Sequence, residues 1–208
     1  HYTLDLWFQR VFSPSCTGHA HYIRYADDYV ACFQNKEDAA RFRHDMEQRL
    51  HRVGLELALE KTKILEFGPF AQQRAKRGGL KAEAFDFLGF THYCTRSRNG
   101  RCFRMKRKTI SKRFSVKLRV YKDWLRANRT LPTPEIMKTT AAKLRGHYAY
   151  YGVTDNSKSI RNFVHEVRKL LFKWLNRRGK RNCMSWEKFE LLLQRYPLPQ
   201  PRIMVTLW

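Results

Sequence analysis

The sequence predicts an α+β protein, with antiparallel strands and helices over residues 1–105 followed by a helical bundle over 106–208. Three observations carry this. β-Branched and aromatic residues, Tyr22, Ile23 and Tyr25 before and Tyr29 to Phe33 after, flank the acidic pair Asp27-Asp28, the pattern of a hairpin with both carboxylates at its turn. Beyond Met105 the apolar residues recur at helical spacing through several long segments. Charge divides at the same scale: residues 1–68 hold nine basic and ten acidic residues, net −1, whereas residues 69–208 hold 33 and 8, net +25.

The first segment shows apolar Leu4, Trp7, Phe8 and Val11 at i, i+3, i+4 and i+7, a helix that Pro14 ends. It opens at His1 with no cap before it, so the sequence is expected to be a piece of a longer protein. After the hairpin, Asn35 is an N-cap with Glu37 and Asp38 in the first turn, where acids suit the helix dipole. Ala39, Phe42, Met46, Leu50 and Val53 make one apolar stripe, closed by Gly54. Alternation over Leu55, Leu57 and Leu59 predicts a strand, Glu60 to Lys63 a polar corner, and Ile64 to Phe67 a second strand. The Gly-rich basic stretch 68–82 is read as a mobile loop. Phe85 to Phe90 resumes a strand, in which Gly89 marks either a bulge or close backbone approach to a ligand. Asn99-Gly100 turns a hairpin pairing Thr91–Arg96 with Arg101–Lys106.

The second half begins with a stripe of Ile110, Phe114, Leu118, Tyr121 and Leu125, and Lys106, Arg107, Lys108, Lys112, Arg113, Lys117 and Arg119 crowd the start of that segment. A helix so one-sided in charge is a candidate for holding a phosphate backbone. Pro134 starts a helix whose face is Ile136, Thr140, Leu144, Tyr148 and Tyr151. Asp155 to Ser157 open another, buried through Ile160, Phe163, Val164, Val167, Leu170, Leu171, Trp174 and Leu175, and ending in Arg177, Arg178, Lys180 and Arg181 as a further RNA-binding cluster. A short helix from Ser185 to Tyr196 precedes a Pro-rich tail.

A formal charge of +24 on 208 residues makes a polyanion the expected partner. The chain carries no apolar run of membrane-spanning length and no secretory signal, so a membrane partner is not expected. Cys16, Cys32, Cys94, Cys102 and Cys183 form no C-x-x-C pair, which points to reduced thiols in a cytoplasmic compartment, and His92, Cys94 and Cys102 are read as strand residues rather than metal ligands. The acidic pair carries the chemistry. Asp is common in turns because its side chain bonds nearby backbone. Adjacent carboxylates also repel, and their hard oxygens suit Mg²⁺ shared with substrate phosphates, the donor set of two-metal phosphoryl transfer.

Tyr25-Ala26-Asp27-Asp28 resembles the YADD box of reverse transcriptases, and the surrounding words resemble the bacterial group II intron-encoded reverse transcriptase and maturase family. In order these are Gly54 to Leu57 with Glu60 to Lys63, Phe85 to Phe90, Leu144 to Tyr148 with Tyr150-Tyr151, Trp174 to Arg178, Trp186-Glu187, and Pro197 to Ile203. The resemblance implies part of a reverse-transcriptase palm over 1–105 and a helical thumb, or maturase X domain, over 106–208. It implies RNA-directed DNA synthesis with Mg²⁺, on an RNA template, a DNA primer and dNTPs, together with binding of intron RNA to assist splicing in a bacterial cytoplasm. Asp27 and Asp28 are then the metal ligands, and Lys61 approaches the nucleotide phosphates. Tyr25 and Ala26 lie beneath the nucleotide and primer end, and Leu88-Gly89 grips the primer. A further catalytic aspartate of that family falls upstream of this sequence, so the piece is expected to be inactive alone. The competing expectation is a non-enzymatic, maturase-like RNA-binding protein.

Overall fold

The computed structural model describes residues 2–97, 99–178 and 184–207. Two compact units divide the chain: residues 1–88 with 93–104, and residues 89–92 with 105–208.

The first unit opens in wide, π-helical turns, Tyr2–Leu6 and Phe8–Phe12, followed by a 3₁₀ turn Ser13–Ser15. This changes the expected face. A ladder with more than four residues per turn aligns side chains four apart, so Phe8 and Phe12 are buried while Val11 is 60% exposed. Strands β1 (Ala20–Tyr25) and β2 (Asp28–Phe33) pair antiparallel in the register Ala20↔Phe33 to Tyr25↔Asp28, the hairpin expected. Helix α1 (Lys36–His51) packs Phe42, Met46 and Leu50 into one cluster with Phe8 and Phe12. Phe42 is its hub, with the rings of Trp7, Phe8, Phe12, Tyr22, Tyr29 and Phe33 all within 5.1–6.4 Å. Asn35 precedes α1 but does not cap it with its side chain, which donates to Thr17 Oγ1 (2.7 Å).

The strands expected at 55–59 and 64–67 do not form. Gly54 takes the left-handed conformation (φ 71°), Leu55 N–H bonds back to Leu50 C=O and Gly54 N–H to His51 C=O, a Schellman closure that turns the first strand residue into a helix cap. Lys61 and Thr62 N–H both donate to Ala58 C=O, curling the next residues into a turn, and Leu55, Leu59 and Ile64 stay exposed. The stretch read as a loop instead holds helix α2 (Ala71–Arg77).

Strands β3 (Ala84–Phe87), β4 (Phe90–Arg96) and β5 (Phe103–Thr109) form one sheet in that order, so the second hairpin strand starts two residues later than Asn99-Gly100 suggested. Leu88 (φ 47°) and Gly89 (φ 81°) join β3 to β4 as a two-residue turn with positive φ at both positions. Lys106, Arg107 and Lys108 therefore lie on β5 and not on the basic helix, because the extended backbone runs on to Thr109 before helix α3 (Ser111–Ala127) starts.

In the second unit α3, α4 (Thr133–Tyr151), α5 (Ser157–Leu175) and α6 (Trp186–Arg195) bury a core that includes Tyr121, Leu125, Ile136, Leu144, Tyr148, Phe163, Leu171 and Phe189. All five residues expected on the α4 face are buried. Asn156, expected near a helix start, is wholly buried. Its Oδ1 accepts from Thr109 N (2.9 Å), and its Nδ2 donates to Thr109 Oγ1 and Tyr151 C=O (both 2.9 Å), tying three elements together. The tail folds back on the end of α4: Met204 and Val205 N–H donate to Gly152 C=O, and Tyr148 Oη donates to Pro199 C=O (2.8 Å).

Candidate catalytic hairpin and nucleic-acid interface

Alternation along the hairpin sorts its residues. Tyr22, Tyr29, Ala31 and Phe33 face the aromatic cluster, while Tyr25 and Asp28 are paired across the last rung and exposed. Asp27 occupies the turn itself, also exposed. Ala26 bends the chain between them with φ 55°, a left-handed conformation that costs an alanine about 1 kcal/mol.

Arg24 holds this turn. Its Nη1 donates to Ala26 C=O (2.7 Å), and its Nε and Nη2 form a fork on the two oxygens of Asp5 (2.7 and 2.6 Å). That fork holds the Asp5 carboxyl below its usual range and raises Arg24. The nearest cation in sequence is thus committed to Asp5 and to a backbone carbonyl. Among the described residues neither Asp27 nor Asp28 has an ion-pair partner. Sequence reasoning missed the Asp5–Arg24 pair, which is nineteen residues apart and carries no local signal.

The polar corner reaches the same hairpin. Leu57, just before the corner, packs against the cluster that holds Tyr29, whose hydroxyl is pushed up by burial, and the Lys61 side chain is exposed. Asp27, Asp28 and the corner thus share the first unit. Two exposed, unpaired carboxylates offer hard oxygen donors and fit Mg²⁺. No group of three or more His, Cys, Asp or Glu suited to a metal occurs among the described residues.

The basic residues separate by environment. Lys112, Arg113, Lys117 and Arg119 are exposed on α3. On β5 Lys108 is exposed and Lys106 half-buried, whereas Arg107 is only 6% exposed and so is not presented to a backbone phosphate. Arg177 lies over the Trp174 ring (5.1 Å). Arg178 donates to Thr133 Oγ1 (2.9 Å) and Leu131 C=O (2.6 Å), fastening the α3–α4 connection. Lys180 and Arg181 lie outside the described residues. Leu88 and Gly89 form the turn described above. No helix among the described residues is long and apolar enough to cross a membrane.

Residues 3–92 match the family described as Reverse transcriptase (RNA-dependent DNA polymerase), and residues 111–191 match the family described as Group II intron, maturase-specific domain. No curated protein sequence matches the chain.

Proposed function

Since the chain belongs to the group II intron reverse transcriptase and maturase family, we propose that its first unit carries the metal-binding end of an RNA-directed DNA polymerase active site and that its helical unit holds RNA. The observation that carries this is the exposed Asp27-Asp28 pair, which has no ion-pair partner among the described residues, on a hairpin whose other face is fixed by aromatic packing. Asp27 and Asp28 hold Mg²⁺, which when bound polarises the phosphoryl group and the attacking primer hydroxyl. The protein needs no nucleophile of its own. Tyr25 and Ala26 support the nucleotide and primer end, Leu88-Gly89 contacts the primer, and Lys61 offsets phosphate charge and can return a proton to the leaving pyrophosphate. Lys106, Lys108, Lys112, Arg113, Lys117, Arg119, Arg177 and Arg178, with Lys180 and Arg181, bind template or intron RNA, the latter assisting splicing in the bacterial cytoplasm. On this reading the palm spans 1–105 and the thumb 106–208, and Asp27 and Asp28 supply only part of a two-ion ligand set.

The test is primer extension by the full-length protein. Asp27→Ala and Asp28→Ala each abolish extension and leave RNA affinity within about twofold of the parent, since exposed carboxylates add nothing to phosphate binding. An Asp27→Ala protein that still extends primers sinks the assignment. A second reading, a non-enzymatic maturase, draws on the lack of a third metal-suited side chain beside the pair among the described residues. It predicts a parent protein that binds RNA tightly and extends no primer.

A further inference from the structure

We propose that the exposed ring of Tyr150, backed by Phe90 and flanked by Lys117 and Arg113, is a stacking platform for one unpaired nucleobase, with the two cations meeting the phosphate beside that base. This rests on the nucleic-acid binding proposed above and adds to it a subsite that reads a base face rather than backbone charge.

All the residues concerned belong to the second unit. Tyr150 is held from several sides. The Phe90 ring lies parallel to it (6.1 Å, 5°), and Tyr151 meets it edge-on (4.8 Å, 67°). The backbone at Gly89 passes so close that a Cβ there would sit 3.3 Å from Tyr150 Cε1 and 3.4 Å from its hydroxyl oxygen. Yet the burial that fixes this group falls on Tyr151, which is 2% exposed, while Tyr150 remains 52% exposed. A ring already immobilised and still half open to water loses little entropy when a base stacks on it.

The charges beside it point to a phosphate. Lys117 Nζ lies 4.6 Å from the Tyr151 ring centre and 5.8 Å from that of Tyr150. Its ammonium is lowered by burial and then by the nearness of Arg113, a second cation. Among the described residues neither Lys117 nor Arg113 has a carboxylate partner, so two like charges one helical turn apart lie uncompensated beside the half-exposed Tyr150 side chain. A nucleotide relieves both conditions at once, its base covering the ring and its phosphate neutralising the pair.

The measurement is fluorescence anisotropy of the full-length protein with labelled oligouridylate and oligothymidylate, each also made with abasic positions throughout. Tyr150→Ala weakens binding of the base-bearing strands about tenfold or more and leaves the abasic strands unchanged, while Tyr150→Phe stays within about twofold of the parent because the ring is kept. Lys117→Gln lowers the salt slope by about 0.7 on both kinds of strand. A Tyr150→Ala loss confined to oligouridylate assigns the subsite to RNA, one confined to oligothymidylate assigns it to DNA, and a loss on both assigns it to either strand. The proposal is overturned if Tyr150→Ala binds base-bearing strands like the parent, or if it weakens abasic strands equally. It is also overturned if the parent binds no single strand. None of these outcomes bears on the catalytic reading, which primer extension by Asp27→Ala decides.

Discussion

Four side chains show how far single residues can be read. Asp27 and Asp28 stand out in the sequence because acids interrupt an apolar hairpin, and they sit exposed where that pattern places them. His147 gives no such signal. It falls on the buried side of α4, 4% exposed, stacked on Phe163 (3.8 Å, 10°), with neither ring nitrogen bonded. Burial, and then the Lys117 charge, push its imidazole down to about 4 from an ordinary 6.5. The folded state therefore prefers neutral His147 while the unfolded chain protonates it near pH 6.5. This contribution to stability is complete above about pH 6.5 and is lost as the pH falls toward about 4, about 3 kcal/mol in all. Guanidinium unfolding followed by tryptophan fluorescence over that range should show the loss in the parent and a shallower one in His147→Phe. Equal slopes in both proteins contradict this account. Asn156 was legible only as a helix start. Its three-way bonding joins residues 47 apart in sequence, which no local pattern encodes.

At the scale of elements, period and turn chemistry predicted what local energetics control. The β1–β2 hairpin, the α1 stripe from Phe42 to Leu50, the α4 face and the α5 core residues all follow from spacing, whereas Val53, expected to extend the α1 stripe, lies past the end of the helix and is 51% exposed. The failures occur where a neighbouring element claims the same backbone. Leu55 alternates like a strand residue, yet its N–H completes the end of α1, and capping a helix needs no partner strand. The opening segment fails for a different reason, since its wider turns exchange Val11 for Phe12 on the buried face. The hub that results gives a prediction at this scale. Phe42→Ala removes one ring from contact with six others and should cost the first unit about 3–5 kcal/mol, whereas Phe42→Leu should cost less by filling most of the volume. Thermal unfolding of the two variants beside the parent checks the order, and an unchanged midpoint for Phe42→Ala refutes the hub.

For the whole molecule, the division of charge was the most legible property, because it is summed from composition and needs no geometry. Its consequence is an RNA affinity that falls steeply with salt. Replacing Lys112 and Arg119 together by Gln should lower the slope of log affinity against log salt by about 1.4 to 1.8, a filter-binding titration being enough to see it. A slope unchanged in the double variant removes α3 from the interface. The same composition said nothing of how the tail packs, since it was legible in the sequence only as Pro-rich. Tyr148 nevertheless finds its acceptor at Pro199, 51 residues further on, and the Gly152 carbonyl takes its bonds from Met204 and Val205. No side chain fits at Gly152, where a Cβ would lie 2.3 Å from Tyr148 C=O and 2.9 Å from Met204 Cγ. During synthesis the end of α4 leaves the ribosome long before the residues that complete it. This part of the protein therefore waits, with its last turn unfinished, until translation has passed residue 205, so a pause near Tyr196 prolongs that wait and an early stop there releases a chain with this seam still open.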